Sequence, residues 1–148
     1  MACMSIQPIS PKTPRSKLIA ALLALSLGTL GAHAWYLRRS HAWVITLYAV
    51  VCAGLAALQP VWWDNPAFFL LFIPAIDGFV EAAVFSLLAD EKFDASYNAD
   101  RLTNRTGWPH VLTALATVLI GGAASMFMLA MVVVYVYHAM GWLDGLSY

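Results

Sequence analysis

The sequence predicts an all-α integral membrane protein with about four transmembrane helices, and its composition carries that prediction. Of its 148 residues, 61% are hydrophobic and only 11% are charged, whereas soluble domains carry about 25% charged residues. The eight basic and eight acidic residues cluster between long uncharged runs. A helix of about 20 apolar residues is the length that the bilayer core requires.

The runs follow a polar N-terminal tail over residues 1–17, which contains three prolines. The predicted transmembrane helices cover about 18–37, 42–62, 66–89 and 109–140. The second ends at Trp62 and Trp63, side chains that are typical of the membrane interface. The fourth would be about 48 Å long as a helix. It therefore tilts or protrudes.

Local sequence features predict a helix start and a bend in the third run, and a short helix in the loop after it. Asn65 precedes Pro66, so a capping side chain stands before a proline at the first helical position. Pro74 lies inside the run and is expected to bend it. In the following hydrophilic stretch, Phe93 and Tyr97 are four residues apart, which predicts a short helix on the membrane surface.

A secretory signal is the alternative interpretation of the first run. Basic residues, an apolar stretch and the sequence Ala32-His33-Ala34 resemble such a signal and its cleavage site. The apolar run continues through Trp35, Tyr36 and Leu37. This continuation favours a helix that is retained in the protein.

The basic residues indicate an orientation. Lys12, Arg15 and Lys17 precede the first run. The first and third connections carry Arg38, Arg39, Lys92, Arg101 and Arg105. With four crossings these two connections lie on one side, and the positive-inside rule favours that side as cytoplasmic, with both termini outside.

Motifs in the first and third runs resemble those of TM2-domain proteins. In the first run they are Leu27, Gly28, Gly31, His33, Tyr36 and Leu37. Farther on they are Asp77, Gly78, Asp90, Phe93, Asp94, Tyr97 and Asn98. The chain is thus similar to that family over about residues 15–98.

This resemblance implies a TM2-like membrane domain over residues 18–98. A loop over 99–108 and an additional transmembrane helix with a short tail over 109–148 would follow. TM2 domains normally have two crossings, so the middle of this chain is expanded. The bacterial members share no established activity, and the resemblance implies a multi-pass protein of the bacterial inner membrane rather than a reaction.

Asp77 and Glu81 are the first candidate functional residues, with His33 as a third intramembrane polar side chain. They lie four residues apart, so on a helix they share a face. Ionisable groups inside a membrane are costly and usually face a bundle interior or a water-filled cavity. Two interpretations stay open: a buried contact that fixes helix packing, and a path for protons or ions.

Small residues at a spacing of four form a second pattern. The candidate packing residues are Ala20, Ala24, Gly28 and Gly31 in the first run, and Thr117, Gly121 and Ser125 in the fourth. Such stripes let helix backbones approach closely. They pack either within this chain or against another protein.

Several functions have no support in the sequence. Cys3 and Cys52 show no metal-binding spacing, the histidines have no tight ligand pattern, and no nucleophile–base pair is apparent. A net charge of zero gives no indication of nucleic-acid binding. We therefore expect no metal, no cofactor and no enzymatic activity.

The predicted function is that of an accessory or assembly subunit of a membrane complex. It would act through helix–helix contacts in the lipid bilayer, with other membrane proteins or with itself. The alternative is a homo-oligomeric ion or proton channel or transporter that uses Asp77 and Glu81.

Overall fold

The computed structural model describes residues 14–62, 64–98 and 104–142, and within these ranges the chain is all-α, as predicted. The helices are α1 (Lys17–Leu27), α2 (Ala32–Tyr36), α3 (Ala42–Ala57), α4 (Pro66–Leu70), α5 (Phe72–Leu87), α6 (Asp90–Tyr97), α7 (Trp108–Ala116) and α8 (Gly122–Ala139). The predictions that concern Cys3, Lys12, Trp63, Arg101 and the two chain ends lie outside the described residues.

Two stretches of the described chain are long and apolar enough to cross a membrane. The first, Pro66–Leu87, comprises α4 and α5 over 22 residues. The second, Trp108–Ala139, has 32 residues and joins α7 to α8 through a π-helical segment, Thr117–Gly121. The apolar helices Lys17–Leu30 and Ala42–Ala57 are shorter.

The first apolar run does not form the single helix predicted over 18–37. After α1 the chain makes a 3₁₀ turn, Gly28–Leu30, and then reaches Gly31 with φ at 71°. Glycine adopts this left-handed conformation without the penalty that a side chain brings. A Cβ at Gly31 would also lie 2.9 Å from Cγ2 of Ile45. The helix is thus broken at Gly31.

Beyond Gly31, α2 folds back along α1. The Ser16 backbone N–H donates to the Tyr36 hydroxyl at 2.8 Å, and Arg15 Nη1 donates to the Leu37 carbonyl at 3.0 Å. Leu37 is buried in one apolar cluster with alanines of α1. The two ends of the run therefore lie close together, and α1 and α2 form a helical hairpin.

Small residues on α1 allow it to pack closely and antiparallel against α5. Ala20 and Ala24 are fully buried. Gly28 faces Gly78 so closely that a Cβ at Gly28 would lie 2.6 Å from the Gly78 Cα. At the other end of this contact, Lys17 Nζ donates to the Leu88 carbonyl at 2.8 Å.

The break between α4 and α5 has its cause in Pro74. Proline lacks the N–H that would pair with the carbonyl four residues earlier, which is that of Leu70. The Tyr48 hydroxyl of α3 donates to this carbonyl at 3.0 Å. The helix is interrupted at Leu71, three residues before Pro74. The predicted helix start is confirmed, since Asn65 Oδ1 accepts from the Phe68 N–H at 3.1 Å.

Tyr48→Phe is expected to lower the free energy of unfolding by about 1 kcal/mol, or more, because the Leu70 carbonyl then loses its partner in an apolar setting. Thermal unfolding in detergent micelles measures this change. An unchanged unfolding temperature would contradict the role assigned to the hydroxyl.

The long helix of α7 and α8 runs antiparallel to α5 and α4. Gly121 approaches the Phe79 ring, and farther along the Phe69 and Tyr135 rings lie 4.7 Å apart. α8 contributes no buried residue. α3 packs against the 3₁₀ turn, where the Thr46 hydroxyl donates to the Leu30 carbonyl at 2.9 Å.

Candidate functional site

Polar side chains from six segments meet at one end of the bundle, where α1 begins and α5 ends. We call this set the polar layer. Its members are Arg15, Lys17, His33, Arg39, Glu81, Asp90, Asp94, Tyr97, Asn98, Asn104 and Thr106. Its position follows from the chain reversal at Gly31, which returns the start of the first connection to this end.

Lys17 is a fully buried charge of the polar layer, as is Asp94. Its side chain is 0% exposed. Nζ donates to the Leu88 carbonyl at 2.8 Å, to Asp90 Oδ1 at 2.5 Å and to Thr106 Oγ1 at 2.6 Å. These acceptors match the three protons of an ammonium group. The charge is therefore fully compensated in place.

Asp90 is the anionic partner of Lys17 and lies at the first position of α6, where the helix dipole favours a carboxylate. Its second oxygen accepts from the Thr106 backbone N–H at 2.6 Å. Partial burial raises the pKa of Asp90, but the hydrogen bonds from Lys17 and Thr106 outweigh it and lower the pKa from 3.8 to about 2. Asp90 thus joins α1, α6 and the segment before α7 as an ionised group.

Acid should destabilise the protein through Asp90. Because the folded-state pKa lies below the ordinary value, ionised Asp90 stabilises the fold above about pH 4. This contribution is lost as the pH falls through about 2. We expect unfolding temperatures to fall across this window, and to fall less steeply in Asp90→Asn. Equal slopes in the two proteins would contradict the assignment.

Asp94 anchors the next turn of α6. Its Oδ1 accepts from Nδ2 of both Asn98 and Asn104 at 2.5 Å, and its Oδ2 accepts from the Asn104 N–H at 3.0 Å. Asn98 Oδ1 in turn accepts from the Arg15 N–H at 2.7 Å. These bonds join α6 to the segments that precede α1 and α7.

The short helix predicted around Phe93 and Tyr97 forms, and its apolar face packs on the bundle. Phe93 is 0% exposed. Its ring lies 4.9 Å from that of Tyr97 and 6.1 Å from that of Phe85 on α5. α6 is therefore a cap over the end of α5.

Glu81 is held by two partners from the connection and helix that follow Gly31. Arg39 forms an ion pair with Oε1, and His33 Nε2 lies 2.9 Å from Oε2. Arg39 also donates to the Tyr97 hydroxyl at 3.0 Å. The apolar runs contain no Lys or Arg to pair with Glu81, and the reversal of the chain brings Arg39 to it.

Asp77 has a different environment, although it lies one turn from Glu81. It is exposed on α5, and no hydrogen bond or ion pair involves it within the part of the chain that the structure describes. Four residues rotate a helix by about 40° beyond a full turn. That rotation places Glu81 beside the hairpin and leaves Asp77 on the outer face with Ile73, Val80 and Val84.

The small-residue stripes pack largely inside the chain. Ala20, Ala24 and Gly28 contact α5, and Gly31 forms the turn of the hairpin. In the fourth run, Gly121 lies against Phe79. Thr117 bonds within its own helix, to the Thr113 carbonyl at 2.8 Å, and Ser125 is half-buried.

The described ranges contain no group of three or more His, Cys, Asp or Glu side chains that could hold a metal ion. Cys52 is buried as a free thiol. The polar layer consists of ion pairs and of hydrogen bonds made by asparagine side chains, and such contacts suit it to holding helices together.

A family model for the TM2 domain matches residues 13–63. The uncharacterized membrane protein YozV of Bacillus subtilis (strain 168) is 33% identical over 84 residues, which are 57% of this chain and 82% of that protein. This chain belongs to the TM2-domain family. No solved structure matches it.

Membership of the TM2 family confirms the resemblance that the motifs indicate, and the protein is a membrane protein. The matched segment spans the α1–α2 hairpin and α3. Glu81 and His33 of the polar layer are predicted site residues, but Lys17, which pairs with Asp90, and Arg39, which pairs with Glu81, are not. The sequence contains a signal for both, since Lys17 directly precedes the first apolar run and Arg39 belongs to the Arg38-Arg39 pair that follows it.

Proposed function

We propose that this TM2-domain protein is a non-enzymatic subunit that assembles with another membrane protein through the outer face of α5. We call that face the Asp77 face; its members are Ile73, Ile76, Asp77, Val80 and Val84. Asp77 carries the proposal. A carboxyl group near the middle of an apolar span is costly when it faces lipid, so an exposed, unpaired Asp77 favours a protein neighbour.

The contacts of Glu81 argue for assembly over conduction. A channel that uses Asp77 and Glu81 together needs both on one wet path. Glu81 is engaged by Arg39 and His33 at the hairpin, whereas Asp77, about 40° farther round α5, is exposed and outside these contacts. Glu81 has a cationic partner in Arg39, and among the described residues Asp77 is the carboxylate of the apolar spans that is left for an external contact.

We further propose three membrane crossings in place of the predicted four: α3, then α4 with α5, then α7 with α8. The α1–α2 hairpin would enter from the polar-layer end and return to it, which the bonds from Ser16 to Tyr36 and from Arg15 to Leu37 support.

The charges support an orientation for this arrangement. The described basic residues outside the histidines lie at the polar-layer end: Arg15, Lys17, Arg38, Arg39, Lys92 and Arg105. By the positive-inside rule that end faces the cytoplasm of a bacterial inner membrane. The end of α8 then lies outside, and Pro14 lies on the same side as Lys92.

Cysteine labelling tests this topology in a variant that lacks Cys3 and Cys52. A membrane-impermeant maleimide should label Gly141→Cys in intact cells. It should label Pro14→Cys and Lys92→Cys only after the membrane is permeabilised. Labelling of Pro14→Cys from outside, with Lys92→Cys protected, would instead support four crossings.

The native mass of the protein tests the assembly proposal. Extracted from its own membrane in a mild detergent, the protein should run in a complex larger than its 16.1 kDa chain. Asp77→Leu should release the monomer. Asp64→Asn, which removes an exposed carboxylate near the opposite end, should leave the complex intact. A bare wild-type monomer would overturn the proposal.

A further inference from the structure

We infer that the helix docked on the Asp77 face carries a Lys or Arg side chain at the middle of the membrane. This inference rests on the assembly proposed above and assigns the chemistry of the partner. It follows from the depth of Asp77, from the surface around it and from the distribution of basic residues in this chain.

Asp77 lies too deep in the membrane for lipid headgroups or water to pair with its carboxylate. Asp77 lies eleven residues after Pro66 and ten before Leu87, the limits of the apolar span. At 1.5 Å per residue it is about 15 Å from either end. An aspartate side chain is too short to reach headgroups or water over that distance, so its partner must come to it.

The surroundings of Asp77 fit one apolar helix with one polar group. Ile73, Val80 and Val84 are all exposed on the same face and are aliphatic. They offer no donor to the carboxylate. A partner helix that packs here therefore supplies a donor opposite Asp77 and apolar side chains elsewhere. A cation is favoured because it compensates the charge as well as the hydrogen bond.

The described ranges of a second copy of this chain do not offer that cation. The lysines and arginines in the described ranges lie at the polar-layer end, and Lys17 and Arg39 are already paired there. Two copies that met through this face would place Asp77 beside Asp77. Like charges oppose such a contact unless the pair shares a proton.

Designed helices provide the probe for this inference. The full-length protein, carrying a donor fluorophore, is placed in phosphatidylcholine vesicles with acceptor-labelled helices of leucine and alanine. One helix has Lys at its midpoint, a second has Lys two turns nearer one end, and a third has no Lys. Energy transfer reports binding, and circular dichroism confirms that each variant is folded.

We expect the midpoint-Lys helix to bind about tenfold more tightly than the other two, since polar contacts between membrane helices are worth about 1–2 kcal/mol in peptides. Asp77→Asn should remove that preference, and Asp64→Asn should keep it. Asp77→Lys should instead prefer a helix with Glu at its midpoint.

Two results would overturn the inference. If the wild type shows no preference for the midpoint-Lys helix while its native complex still depends on Asp77, assembly stands and the cationic partner is wrong. If two differently labelled copies of the protein associate through Asp77 instead, the occupant is a second copy. Failure of the assembly proposal can be told apart from failure of this inference, because the native mass would then be that of the monomer.

Discussion

Replacing Asp90 with Asn should lower the free energy of unfolding by about 3–5 kcal/mol, the cost of leaving a buried ion without its partner. Lys17 is the ion that is left behind, with its side chain 0% exposed and two neutral acceptors remaining. Unfolding in detergent micelles, driven by heat or by a denaturing detergent, measures the change.

The matched control for Asp90→Asn is Lys92→Met, which removes an exposed charge from the same short helix. It should change stability by less than about 0.5 kcal/mol. Removing both partners, in Lys17→Met with Asp90→Leu, should cost less than Asp90→Asn alone, because no unpaired charge then remains. Equal stability of Asp90→Asn and Lys92→Met would show that the pair does not hold the polar layer together.

Gly78→Ala should have the second largest effect, a loss of about 3 kcal/mol at the upper end of what overpacking costs. The added methyl would lie 2.6 Å from the Gly28 Cα and 2.9 Å from the Ala24 carbonyl oxygen. Both neighbours are backbone atoms, so α1 and α5 must separate to admit it. Thermal unfolding of the purified protein measures the effect.

Gly54→Ala provides the comparison for Gly78→Ala. Gly54 lies in α3 with nothing within 4 Å of the position that its Cβ would take. The same change there should be neutral or slightly stabilising, because alanine has the higher helix propensity. If both variants are equally stable, the close contact between α1 and α5 is not what the fold depends on.

The helical class and several local features follow from the sequence because they depend on neighbouring residues. Asn65 and Pro66 start α4, and Pro74 frees the Leu70 carbonyl, through interactions that span at most four positions. The alanines of the first run likewise indicate close packing wherever the partner helix lies. Such signals do not depend on the fold.

The hairpin could not be predicted because its cause is ambiguous in sequence. Gly28 and Gly31 are small residues in an apolar run, and the same pattern suits a straight helix that packs closely. The structure uses Gly28 for packing and Gly31 for the reversal. Once the direction of the chain after Gly31 is known, the pairing of Arg39 with Glu81 follows, although they are 42 positions apart.

The spacing of Asp77 and Glu81 predicts a shared helix face, but it does not predict that their environments differ. Four residues bring two side chains to the same side of a helix, but the boundary between contact and exposure on α5 falls between them. Glu81 lies on the contact side of that boundary, where His33 and Arg39 reach it. The sequence of the third run alone contains no information about it.

In-cell photo-crosslinking along α5 tests whether the Asp77 face contacts another membrane protein. A photoreactive residue would replace Val80 or Val84 on that face, and Leu119 on the exposed side of the long helix as the control. We predict a discrete protein adduct from Val80 and Val84 that disappears in Asp77→Asn, with only lipid adducts from Leu119. Lipid adducts alone from all three positions would show that lipid, and not a protein, covers the Asp77 face.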